Sequence, residues 1–90
     1  MKHLNIRVHG IVQGVFFRSH TEEMAQSLDI KGFVRNESDG TVYIEAEGDE
    51  KSLQQLLDWC HTGPSSARVD KVESEVGELQ SFTDFQTRYS

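Results

Sequence analysis

The stretch GIVQGVFFR (Gly10–Arg18) places two glycines and an arginine at four-residue intervals. Gly10 and Gly14 permit backbone angles that a Cβ would forbid, and a helix that opens directly after them presents N–H groups with no partner of their own. A loop of this kind can cradle an anion. The helix terminus contributes about 0.3 to 1 kcal/mol toward a negative charge, and Arg18 in its first turn adds a fixed fork of donors for phosphate or carboxylate oxygens. A phosphoryl group suits both. The spacing is not that of a P-loop, because no Gly-Lys-Ser or Gly-Lys-Thr follows. Strand-to-helix junctions with two glycines and an arginine are also common without any ligand, so these residue types alone leave both readings open.

The elements that must hold this loop are legible from periodicity. Leu4, Ile6 and Val8 alternate with Asn5, Arg7 and His9, the pattern of a strand with one buried face that ends near Gly10 and Ile11. Phe17, Thr21, Met24, Ala25 and Leu28 form a helical stripe from about residue 17 to 28. Two further alternating runs, around Val34 and around Val42–Ile44–Ala46, flank Asp39-Gly40, a dipeptide that favours the positive-φ turn of a hairpin. Asp49 can cap a second helix whose face is Leu53, Leu56, Leu57 and Cys60, stopped by Gly63-Pro64. Val72 and Val76 suggest a fourth strand from about residue 68 to 76, and Phe85, Thr87 and Tyr89 a short terminal one.

The expected order is therefore β-α-β-β-α-β plus a short last strand, an α+β fold of the ferredoxin-like, split βαβ plan. An antiparallel sheet would carry both helices on one face and keep Arg, Glu and Tyr side chains of the other in water. A right-handed crossover makes strands one and two parallel, with strand three between them. The residues after Val8 and the end of strand two at Asn36 then share one edge of the sheet, roughly two strand spacings of ~4.8 Å apart.

Ninety residues can bury only one core, so residues 1–90 are expected to form a single domain. A net charge of -6 with scattered cations disfavours nucleic acid and anionic membranes as partners. No apolar stretch approaches a membrane span, and the N-terminus lacks a signal-peptide core, which points to a soluble, cytoplasmic chain. A lone cysteine, Cys60, excludes an internal disulfide and a cysteine-based zinc site.

GIVQGVFFR followed 14 residues later by GFVRNESDGTV (Gly32–Val42) resembles the paired signature of the acylphosphatase family. Gly63-Pro64 followed by ARV and the terminal aromatic Tyr89 fit as well, so the similarity covers essentially the whole chain. The resemblance implies hydrolysis of the carboxyl–phosphate bond of acyl phosphates, without metal or other cofactor. It implies that the backbone amides of the loop (Gln13, Gly14, Val15, Phe16, Phe17, Arg18) and the Arg18 guanidinium hold the phosphoryl group, while Asn36 orients the attacking water. Inorganic phosphate would be product or competing ligand, and the chain would act as a monomer. In this sequence Phe33 stands where the family usually has Trp, Glu37 where it often has Thr, and Phe16 where a smaller residue is usual.

Such chemistry suits these side chains. The leaving carboxylate has a conjugate acid of pKa about 4 and needs no general acid. Phosphoryl transfer is mostly positioning and charge stabilisation. A neutral Asn accepts from water and donates to a phosphoryl oxygen without bringing another negative charge.

Other candidates read more plainly. His9 and His20 bracket the loop but fall on solvent faces, and a zinc site would need a third ligand. Glu22, Glu23, Glu45, Glu47 and Glu50 fall on outward faces where solvation is their ordinary use. Cys60 completes an apolar stripe, and Trp59 is expected against the sheet edge or the terminal strand. Two alternatives share the topology: a non-catalytic module that binds an anion or a partner through the same loop, and an RNA-binding sheet, which would need more exposed aromatics than Tyr43 and a basic face.

Overall fold

A computed structural model describes residues 1–89. Its elements are β1 (Lys2–Ile11), α1 (Phe17–Ser27), β2 (Lys31–Asn36), β3 (Val42–Gly48), α2 (Glu50–Cys60), β4 (Arg68–Gly77) and β5 (Phe85–Arg88). The five strands form one sheet in the order β4-β1-β3-β2-β5. Alternation drives the register: Ile6 lies opposite Ile44, and Val34 opposite Ile44 on its other side. All three are fully buried beneath the helices together with Val8, Leu53 and Leu56. Because β3 is antiparallel to both β1 and β2, those two strands run parallel, as the split βαβ order requires. The α+β, ferredoxin-like expectation holds. No helix of the described residues is long and apolar enough to cross a membrane.

The last strand pairs in parallel with β2, Gly32 beside Phe85, and closes the sheet on the side away from β4. Val42 lies opposite Val8 on one flank and Asn36 on the other, so the ends of β1 and β2 do meet one edge. A bulge between His9 and Gly10 bends β1 as it leaves the sheet. Gly10 sits at φ 131, and a Cβ there would lie 2.1 Å from the Arg68 carbonyl oxygen, so only glycine lets β4 follow the bend.

Two expectations need correction. The face opposite the helices is not all in water: the segment between β4 and β5 crosses one end of it and buries His3 and Glu47. Glu47 is 3% exposed rather than solvated. Its carboxylate accepts from the backbone N–H groups of Gln80 and Phe82 and from His3, which makes an inward charge tolerable. Trp59 packs at 5.2 Å on Phe17, the first residue of α1, because α2 ends beside the start of α1. The positive-φ hairpin turn expected at Asp39-Gly40 is present: Gly40 takes the positive φ, and the Gly40 N–H to Glu37 carbonyl bond puts Ser38 and Asp39 at the centre of the turn.

Candidate active site

The loop that joins β1 to α1 is anchored by Val12, which is buried, and then rises into solvent. Gly14 has φ 74. Phe16 has φ 64 and ψ 22, a left-handed conformation that is uncommon for a bulky residue and that tends to gather at functional sites. This places an aromatic side chain at the N-cap, where no hydroxyl or carboxylate can satisfy the first-turn amides. The first turn of α1 holds no acid either. The contrast with α2 is direct: there Asp49 accepts from the Ser52 N–H at 2.8 Å, and Glu50 adds negative charge. One helix start is closed and the other is open to an anion.

The open start borders a cavity of about 500 Å³ whose lining includes Gly14, Phe16, Phe17, Arg18, Asn36 and Tyr89. Arg18 is half-buried, and its guanidinium lies 4.6 Å from the centre of the Tyr89 ring with one amine 3.5 Å from the Arg88 carbonyl oxygen. Among the described residues no carboxylate pairs with it, whereas Arg7 has two and Arg35 and Arg68 one each. Asn36, the last residue of β2, contributes the opposite kind of group. Its Oδ1 is buried, and no donor among the described residues reaches it. A buried amide oxygen left so costs about 1 to 3 kcal/mol.

The sequence-selected residues do not all meet the cavity in one way. The Phe17 ring is in the core against Trp59 and Gly63, where a Cβ on Gly63 would come within 2.7 Å of it, so Phe17 has only its backbone N–H to offer an anion. Val15 packs on the core and its carbonyl accepts from Ser66 Oγ at 2.8 Å. Gln13 turns its side chain away to the β2–β3 hairpin, donating to the Glu37 and Thr41 carbonyl oxygens at 2.7 and 2.9 Å. Glu37, beside Asn36, is not among the lining residues: its carboxylate is held by Arg35 at 3.3 Å and Arg7 at 3.6 Å. Its negative charge is thereby balanced beside the site.

Residues that sequence reasoning left outside the site also reach the cavity. Thr87 and Tyr89 arrive through the pairing of β5 with β2, and Glu22, expected in open solvent, also lines the cavity and accepts from Thr87 Oγ1. The alternation of Phe85, Thr87 and Tyr89 marks a strand but not its place beside the site. His9 pairs with Glu73 at 2.6 Å on the surface, and His20 Nδ1 donates to the Phe16 carbonyl oxygen at 2.9 Å, so each has an ordinary partner. Cys60 is fully buried, and burial pushes its thiol up to about 12, far from a thiolate nucleophile.

A sequence profile described as Acylphosphatase matches residues 4–87. An acylphosphatase of Thermotoga maritima is 47% identical over 89 residues, covering 99% of each chain. Among solved structures, the acylphosphatase of Bacillus subtilis superposes with a TM-score of 0.96 at 32% identity, covering 99% of this chain and 100% of that one. One from Coxiella burnetii gives 0.94 at 36%, with 97% and 92% covered.

Proposed function

The chain belongs to the acylphosphatase family, and on that footing we propose that Arg18 and the loop amides hold the phosphoryl group of an acyl phosphate while Asn36 aligns the water that attacks it. The reaction hydrolyses a carboxyl–phosphate bond to a carboxylate and inorganic phosphate. The phosphoryl oxygens sit against the uncapped start of α1, with the Arg18 guanidinium balancing the charge that gathers on them. Asn36 Oδ1 accepts from water, and its amide N–H donates to a phosphoryl oxygen, so one side chain holds nucleophile and electrophile together. Water's oxygen bonds to phosphorus as the bond to the acyl oxygen breaks. The electron pair leaves with the carboxylate, and the proton passes to the phosphate product or solvent. With a leaving-group pKa of about 4, no side chain has to donate a proton.

The observation that carries this reading is Asn36 and Arg18 lining one cavity beside the uncapped start of α1. An anion-binding module would use the arginine, but would gain nothing from a carboxamide at the end of β2. In the same reading inorganic phosphate competes for the cup. On the same reading the chain works as a monomer in the cytoplasm.

Hydrolysis of benzoyl phosphate in the presence of a chelator tests it. Wild type should turn over freely. Arg18→Ala and Asn36→Ala should each lose about 100- to 1000-fold in kcat, from the usual effect of removing one charge-stabilising group. Phosphate should still bind to Asn36→Ala. Activity that survives Arg18→Ala, or that disappears with the chelator, would overturn the assignment.

A further inference from the structure

The two halves of the site come from separate parts of the chain. The loop continues β1 and Asn36 ends β2, but these strands are not neighbours, since β3 runs between them. No ladder hydrogen bond therefore joins the loop to Asn36 directly. At Gly14 a Cβ would find nothing within 4 Å, so packing does not hold that part of the loop in place. What does cross the gap is the Gln13 side chain.

We propose that Gln13 is a positioning residue: its carboxamide straps the phosphate cup to the hairpin that carries Asn36, and so sets the spacing between phosphorus and the attacking water. This rests on the function proposed above. Gln13 immediately precedes Gly14 in the cup, and Glu37 immediately follows Asn36. Gln13 Nε2 donates to the Glu37 carbonyl oxygen at 2.7 Å and to that of Thr41 at 2.9 Å. Those carbonyls also accept within the turn, from Gly40 N–H at 3.1 Å and Glu37 N–H at 2.9 Å. A primary amide carries two N–H donors on one nitrogen, which two converging carbonyl oxygens require. Glutamate has none to give, methionine matches the length without donors, and asparagine is one methylene short.

The post to which the strap is tied is firm. Thr41 is buried, its hydroxyl donates to Asp39 at 2.6 Å and accepts from Arg7 at 2.9 Å, and its N–H donates to Asp39 at 3.0 Å. The cup is thus fixed relative to a rigid turn. A misplacement of about 1 Å between reacting groups can lower a rate roughly 100-fold, so a strap between them acts on kcat more than on binding.

The test is a mutant cycle on the full chain, with benzoyl phosphate turnover, the inhibition constant of inorganic phosphate, and thermal unfolding as readouts. Gln13→Met should lower kcat roughly 10- to 100-fold while phosphate affinity stays within about 3-fold, because the cup amides and Arg18 remain. Gln13→Asn keeps the donors but cannot reach, and should behave in the same way, which guards against misfolding of either variant. In an Asn36→Ala background the further loss from Gln13→Met should shrink to about 2-fold or less, since the strap acts through Asn36. Three results would overturn the strap alone: unchanged kcat with only a lower melting temperature, a loss of phosphate affinity matching the loss of kcat, or the same loss from Gln13→Met in both backgrounds. Wild-type kcat in Asn36→Ala by itself would overturn the water-aligning role, and the strap with it.

Discussion

Two polar clusters occupy opposite ends of the sheet, and they differ in how fully their groups are satisfied. At the far end His3 and Glu47, directly paired across β1 and β3, are both buried. Glu47 accepts from His3 Nδ1 at 2.7 Å and from the N–H groups of Gln80 and Phe82. His3 Nε2 meets Asn5 Oδ1 at 2.8 Å and Glu45 at 3.2 Å. Both ring nitrogens thus face acceptors, and only the imidazolium donates from both. At the near end no donor among the described residues reaches Asn36 Oδ1, and Arg18 has an aromatic face and a carbonyl where Arg7, Arg35 and Arg68 have carboxylates. A cluster whose bonds are all made inside the chain holds structure together. One left with spare capacity at a cavity can act on something else.

The sharpest way to break that division is to empty the filled cluster. Glu47→Ala leaves buried His3 Nδ1 and two backbone donors without their shared acceptor, and should cost about 3 to 5 kcal/mol in denaturant unfolding. Turnover by the molecules still folded should stay within about 3-fold. A tenfold fall in kcat at full folding would show the two ends to be one unit.

Next in size is a change at the open cluster. Asn36→Asp keeps the shape but sets a carboxylate beside the phosphoryl group, and should lower kcat by about 100-fold or more at neutral pH with little change in melting temperature. Unfolding data that moved as far as kcat would blur the distinction.

A smaller effect is expected from pH on stability. Burial alone would lower the His3 pKa, but its bonds to Glu47 and Asn5 and the charge of Glu45 outweigh this and hold it above its ordinary 6.5. Burial would raise the Glu47 pKa, but the Gln80 N–H, His3 and the Phe82 N–H hold it below its ordinary 4.5. The His3 contribution is complete below 6.5 and fades as pH rises through its raised pKa. That of Glu47 is complete above 4.5 and fades as pH falls through its lowered pKa. The pair should therefore stabilise most between pH 4.5 and 6.5, and a His3→Phe variant should flatten the alkaline limb of a melting-temperature profile. A limb that stays unchanged in that variant would remove His3 from the account. The least effect belongs to Glu37→Gln: Arg7 and Arg35 already balance that carboxylate, so kcat should shift by no more than about 2-fold.

How much of this was readable in advance depended on distance along the chain. The alternation of Leu4, Ile6 and Val8 and the stripe of Leu53, Leu56 and Cys60 gave their elements to within a residue or so, because burial of one face follows a local period. Arg18 and Asn36 stood out through the motifs that contain them, and the split βαβ order put both at one edge. Glu47 was misread because alternation assigns it to the face opposite the helices and says nothing of what covers that face. Gln13 drew notice for its backbone, and its side chain gave no hint of the hairpin.

By itself, then, the order of residues determined the elements, their succession and the edge at which loop and Asn36 meet, since these follow from short-range periodicity, glycine conformation and the handedness of the crossover. Tertiary structure alone decided that β5 lies beside β2 and brings Tyr89 to Arg18, that the segment after β4 folds over Glu47, and that Gln13 reaches residues 37 and 41. Those contacts join positions tens of residues apart. Their partners are chosen by the shape and donor count of groups that only meet once the sheet has formed.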